Sequence, residues 1–277
     1  MIINEEGTYN LVYTATDECG NETVVNRELV VEVPLPDIVT WAGGTDEQIV
    51  AMVQAADKGI INLADYWHVG DERVVHLDAM SATGVGESHA AQDVTLVLMN
   101  AGGKTLNAAT EGGRTTCSFI VGQKDLLSEE GYINSTNTNA GGWEASARRT
   151  WCNDVYRNAI PSTLRPIFKQ VKNKTANGGD SATAAVESVD YFAMPAEYEV
   201  FGAYTYSSST YESDLTQFEY YQTVANRIKR RNGAVDAWWD RSPKADHYGT
   251  FVVVGSAGTP APNAASNGNG LAPFGCI

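Results

Sequence analysis

The chain has 277 residues, with 34 Asp and Glu against 19 Lys and Arg, and a formal net charge of −15. That balance favours solubility and works against binding a phosphate backbone, which requires a basic face, so no nucleic-acid partner is expected. A hydrophobic content of 43% with six Trp is enough for a sizeable core, and the length fits one large domain plus a small one. No apolar run reaches the roughly eighteen residues that a membrane-spanning helix needs.

Met1-Ile-Ile-Asn-Glu-Glu lacks the basic and apolar regions of a signal peptide. Gly7 to Pro34 reads as all-β. Tyr9 to Thr16 alternates, with Tyr9, Leu11, Tyr13 and Ala15 on the expected buried face. Asp17 to Asn21 is a turn punctuated by Gly20-Asn21, and Glu22 to Val33 is a second strand. Pro34 and Pro36 make a linker. Thr45 is placed to cap a helix with Asp46 and Glu47 in its first turn, Ile49, Val50 and Val53 at helical spacing, and Gly59 at its end. Arg73 to Leu77 and Asp93 to Met99 read as strands, the second nearly all apolar and therefore interior. The glycine loop Ser81 to His89 lacks the Lys-Ser/Thr ending of a phosphate cradle.

Leu126 to Gly142 reads as a surface loop, and Ser146 to Ile160 as an amphipathic helix carrying Trp151, Val155 and Ile160. A short helix with Ile167 and Phe168 follows. Lys172 to Ala184 reads as a loop, Glu187 to Met194 as a strand, and Pro195 to Gly202 as a short helix. Phe218 to Arg230 is expected as a helix or a long irregular segment. Arg227-Ile-Lys-Arg-Arg231, the compact basic run of the chain, fits a solvated helix end. Many loops and few long elements point to α+β and away from repeated βαβ units.

Chemistry-bearing motifs are sparse. Cys19, Cys117, Cys152 and Cys276 are far apart, with no CxxC pair, so no zinc site is expected; Cys117, Cys152 and Cys276 read as core residues. Asp65 with His68, and His76 with Asp78, are metal half-sites lacking a third ligand. No Gly-x-Ser-x-Gly elbow is present. No catalytic residue, metal or cofactor is assigned.

The most informative stretch is Asp236 to Ile277. Large or rigid residues at both ends, Trp238-Trp239-x-Arg241-Ser242-Pro243 and Gly270-Leu271-Ala272-Pro273-Phe274, bracket a middle of Gly, Ser, Asn, Ala and Thr. The first kind of residue builds a frame, the second an adaptable loop surface. From Ala245 onward there is no Lys, Arg, Glu, Gln, Met or Trp. Every residue there is reachable by codons ending in a pyrimidine, as when asparagine codons are randomised at their adenines. A loop-rich tail that simply lacks long side chains fits the composition equally well.

These two flanking motifs, with the Phe-Val strand between them, resemble the closing segment of C-type-lectin-fold proteins, and more narrowly the variable proteins of diversity-generating retroelements in phages and gut bacteria. Trp41-Ala-Gly-Gly-Thr-Asp46, Ala64 to Gly70, Arg148-Arg-Thr-Trp151 and Asn226-Arg-Ile-Lys229 add to the resemblance, which spans about Asp37 to Ile277. Asp240 departs from it, since many relatives carry Leu there. Gly7 to Asn21 resembles the final hairpin of a bacterial immunoglobulin-like domain.

The resemblance implies an α+β, C-type-lectin-like (formylglycine-generating-enzyme-like) domain over 36–277, with a variable region at 236–277, preceded by an Ig-like segment over 1–35. It implies non-catalytic binding of a host-surface glycan or protein by a phage tail or bacterial surface protein, as a homotrimer or beside other virion subunits. The expected contacts are Asp246, His247, Tyr248, Thr250, Val253, Gly255, Ala257, Thr259, Pro262, Asn263, Ala264, Asn267 and Asn269. Trp238, Trp239, Arg241, Pro243 and Phe274 are expected as frame. The alternatives are a structural virion or surface module and a formylglycine-generating-type enzyme.

Overall fold

Alternating strand residues around a five-residue turn produce the first unit. In the computed structural model, which describes residues 7–31 and 35–277, β1 (Gly7–Thr16) and β2 (Glu22–Val31) pair antiparallel from Gly7 opposite Val31 to Thr16 opposite Glu22. Asp17 fixes the turn by accepting from the backbone N–H groups of Cys19 and Asn21 at 2.9 and 2.8 Å, as short acidic side chains do in tight turns. Of the expected buried face, Tyr9 and Leu11 are half-buried, whereas Tyr13 and Ala15 are exposed. Glu32 to Pro34, the end of the expected second strand and the first linker proline, lie outside the described residues. The chain divides into two units, Met1–Pro36 and Asp37–Ile277.

The second unit opens with helix α1 (Asp46–Asp57). Thr45 accepts from the Gln48 N–H while the Gln48 side chain reaches back to the Thr45 N–H, a reciprocal cap. Ile49, Met52, Val53 and Ala56 face the core. The main sheet holds β3 (Glu72–Leu77), β4 (Gln92–Ala101), β5 (Phe119–Gln123), β8 (Phe192–Ala193) and β14 (Phe274–Cys276), all antiparallel in the order β3-β4-β5-β14-β8. β4 is interior, as its apolar run demands. The last strand is threaded between β5 and β8, so the residues before it are anchored at the centre of the sheet. Smaller sheets are β6 (Val171–Ala176) with β7 (Ala185–Asp190), β9 (Lys229–Arg231) with β10 (Ala234–Asp236), and β11 (Trp238–Pro243), β12 (Thr250–Val254) and β13 (Pro260–Ala264) in that order.

The expected α+β, C-type-lectin-like class is corrected by this architecture. The chain is mostly β, with 34% strand against 16% helix, arranged in several small sheets. Apart from α1, the helical pieces are short. α2 (Ala147–Trp151) runs through a π turn at Cys152–Tyr156 into α3 (Arg157–Ala159), and α4 (Glu197–Phe201) is a single turn and a half closed by Gly202 at φ +67°. The region over 218–230, expected as a helix or a long irregular segment, is two 3-10 turns, Glu219–Gln222 and Val224–Arg227, followed by β9.

Two expected loops are also corrected. Lys172 to Ala176 belongs to β6, whose inward side chains Asn173 and Thr175 are polar and so hid the alternation. Residues 126–142 do not form a surface loop. Leu126, Leu127, Ile133 and Asn139 are buried, and Gly131 pairs with both Gly86 and Asn269.

Candidate functional site

β11 is buried along its whole length. The indole N–H of Trp238 donates to the Arg227 carbonyl at 2.9 Å, and that of Trp239 to the Gly131 carbonyl at 2.7 Å. Both rings therefore keep their one polar atom satisfied while filling the core. The strand bulges between Trp239 and Pro243, where its register against β12 shifts. Arg241 grips Glu199 with two parallel bonds of 2.6 and 2.8 Å and also donates to the Met194 carbonyl. Lys104 brings a second cation to the same carboxylate. Burial alone would raise the Glu199 pKa, but the charges of Arg241 and Lys104 outweigh it and hold it at about 2. Phe274 packs edge-on against Phe218 at 5.5 Å. All five residues expected to form the frame are buried.

A second polar cluster lies beside this pair. Ser242 accepts from the Glu197 N–H at 3.0 Å and donates to Glu212 Oε2 at 2.6 Å. Glu212 is fully buried, and burial pushes its pKa up to about 7 against the lowering effect of the Ser242 bond. Asp240, the position where the resemblance leads one to expect Leu, accepts the Ser242 N–H at 2.8 Å through Oδ1. Its Oδ2 is buried with no hydrogen-bond partner among the described residues. Burial, then the neighbouring Glu197 carboxylate, pushes the Asp240 pKa far above the usual range. The neutral acid is the form this site accommodates.

The loops carried by this frame form the candidate surface. Between β11 and β12, His247 and Tyr248 stack with ring centres 5.3 Å apart and planes 8° from parallel. Tyr248 is 56% exposed. The loop beneath them is pinned by Asn139, which is fully buried. Its side-chain amide donates to the His247 and Thr250 carbonyls at 2.7 and 2.8 Å, and its backbone N–H donates to the Tyr248 carbonyl at 2.7 Å. Its Oδ1 accepts from the Gly179 N–H at 2.8 Å. Asn137 supports the adjoining strand end, accepting the Ser266 hydroxyl at 2.5 Å. Asn267 donates to Asn263 at 2.7 Å, and Asn263 to Asn269 at 3.2 Å.

The expected contact residues separate into two groups. Asp246, His247, Tyr248, Thr250, Asn263, Ala264 and Asn267 gather at one end of the three-stranded sheet, where the Ala265 N–H bonds the Gly249 carbonyl and Thr250 pairs with Ala264. Gly255, Ala257 and Thr259 sit at the turn between β12 and β13, at the opposite end. With five residues per strand the ends are about 16 Å apart. Pro262 is exposed midway along β13, an edge strand on which Pro260 and Pro262 remove donors that would invite another strand. Val253 and Asn269 are buried, 3% and 5% exposed, because Val253 points inward from β12 and Asn269 pairs with Gly131. Neither reaches the surface.

Asn137 and Asn139, which seat the loops, are missing from the sequence reading. Their signal is the asparagine-rich run 134–139, where side chains able to substitute for backbone partners recur.

A cleft of about 650 Å3 is lined by residues between Gln54 and Tyr191 and by none from 236–277. Among the described residues no group of three or more His, Cys, Asp or Glu is placed to hold a metal ion. His76 bonds Asp93 at the surface. His89 is buried beside Trp151, and burial with the Arg148 charge lowers its pKa to about 4, leaving it neutral.

The model of a family described as a domain of unknown function (DUF6273) matches residues 118–277, more than half the chain. The chain belongs to the DUF6273 family. The DUF6273 match begins just before β5 and takes in the asparagine-rich run, the polar clusters apart from Lys104, the frame and all the candidate loops. No curated protein and no solved structure matches the chain.

Proposed function

We propose that this DUF6273 protein recognises a macromolecular ligand, a host-surface glycan or protein, through the loop face at the end of the three-stranded sheet. The reading includes no catalysis, and it places the chain on a phage tail or a bacterial surface, as the resemblance to variable proteins of diversity-generating retroelements suggests. The observation that carries it is the exposed His247–Tyr248 stack on a loop whose backbone is fixed by buried Asn139. Rigid, solvent-exposed aromatic area lowers the ordering cost of binding, and Tyr is enriched among energetic anchors. The small residues around the stack leave a shallow face, so useful affinity would come from several copies acting together.

The test is binding of the purified, multimerised chain to printed glycans and to bacterial cells of its source community. Tyr248→Ala should abolish binding while the melting temperature stays unchanged. Undiminished binding by that variant would remove this face from the proposal.

A further inference from the structure

Two of the four cysteines, 159 positions apart in sequence, come together in the main sheet. Cys276 lies on β14 opposite Ile120 of β5, and Cys117 sits where the chain enters β5. The Ser118 and Phe119 N–H groups both bond the Ile277 carbonyl, at 2.6 and 3.2 Å, which draws the two chain segments together. The Cys117 and Cys276 thiols lie within interaction range of each other, and both residues are buried. By contrast, Cys152 is buried alone on the helical segment and Cys19 is exposed on the hairpin.

We propose that Cys117 and Cys276 are a latent disulfide that closes in an oxidising environment and staples β14 to the start of β5. The pair differs from ordinary core cysteines because the two thiols adjoin each other where β14 meets the start of β5. The neighbouring Cys276 thiol lowers the Cys117 pKa against the raising effect of burial, and the charges of Lys104 and Arg114 add to the lowering, so Cys117 is the thiol that attacks. With a low-molecular-weight disulfide such as oxidised glutathione, the Cys117 thiolate attacks one glutathione sulfur. The glutathione S–S bond breaks, and one glutathione leaves as thiolate and takes up the proton. The Cys276 thiolate then attacks the Cys117 sulfur of the mixed disulfide, forming the protein S–S bond and releasing the second glutathione. Two protein thiols are oxidised and one glutathione disulfide is reduced to two thiols. The resulting link anchors the strand that directly follows the 265–273 loop. A surface or virion location is one in which such a bond persists.

The test incubates the native chain, and separately refolds the denatured chain, in a buffer of reduced and oxidised glutathione. Peptide mapping after alkylation then identifies the bond. The expected result is a cross-linked peptide pair holding Cys117 and Cys276, with Cys152 still alkylatable and a melting temperature several degrees above that of the reduced chain. Cys276→Ser should remove both the link and the shift, and Cys152→Ser should remove neither. If the link forms on refolding and not in the native chain, the bond closes before burial and the proposal stands. Both thiols remaining free by both routes, while exposed Cys19 becomes modified, would overturn it, as would glutathione retained on Cys117 without the link.

Discussion

Glu212 offers the most quantitative handle on the polar clusters around β11. Its folded pKa of about 7 is raised above the ordinary 4.5 because the carboxyl is fully buried. For a carboxyl shifted in this direction the penalty is absent below about 4.5, grows as pH rises and is complete above about 7, so stability falls across that window. Between about pH 5 and pH 8 the linkage amounts to about 2–3 kcal/mol, from roughly 1.4 kcal/mol per pKa unit. Glu212→Gln keeps the shape and one carbonyl acceptor but cannot ionise. Its amide will satisfy either the Ser242 hydroxyl or the Ala176 N–H, but not both as Glu does. Near pH 5, where the wild type already carries a little under about 1 kcal/mol of that penalty, the variant should be about as stable as the wild type, its one lost hydrogen bond being worth about the same. Near pH 8 it should be the more stable of the two. The assay is urea unfolding of both proteins at the two pH values. The variant-minus-wild-type difference should move in the variant's favour by about 2–3 kcal/mol. An unchanged difference would show that Glu212 is ionised without penalty, and the neutral character assigned to this cluster would be wrong.

Further predictions follow from the division between frame and face. Trp239→Ala removes a fully buried indole and should cost about 3–5 kcal/mol by urea unfolding, whereas Tyr248→Ala should stay within about 0.5 kcal/mol. Arg241→Met leaves Glu199 with one of its two cations gone and should cost about 3–5 kcal/mol, with the loss smaller near pH 2, where Glu199 begins to protonate. Asn139→Ala should cost about 1–3 kcal/mol through orphaned carbonyls. It should also raise amide exchange at Gly179, whose N–H loses its acceptor, and weaken ligand binding although residue 139 is itself buried.

Much of the fold could be read where side-chain pattern and burial agree. Thr45 with acidic residues behind it marks the start of α1, although the part played by Gln48 in the cap is visible only in the structure. The apolar run 93–99 marks an interior strand, and the rigid motif 238–243 marks a buried one. The reading failed where buried side chains are polar. β6 turns Asn173 inward to Lys104 and Asp190, so its alternation is not one of apolar against polar. Lys229 belongs to a basic run whose sequence reads as a solvated helix end. It is buried, donating to the Gln123 and Lys124 carbonyls over the rings of Tyr221 and Trp238. Burial lowers its pKa to about 7. The α+β expectation rests on many loops and few long elements, but apart from α1 and the helical stretch 147–159 the regular structure is short strands in several small sheets. In the site, residue type located the exposed loops, but strand order decides that they lie at two ends of a sheet and that Val253 and Asn269 face inward.

The central claim is that the exposed loop residues of 246–267 meet the ligand and the buried residues around them hold the frame. The most direct test is deep sequencing of the 3′ end of the gene across a natural population of its source. The account predicts substitutions concentrated at exposed Asp246, His247, Tyr248 and Asn267, with Asn139, Trp239, Arg241, Val253 and Asn269 held fixed. A uniform segment, or variation that falls equally on buried and exposed positions, would contradict it.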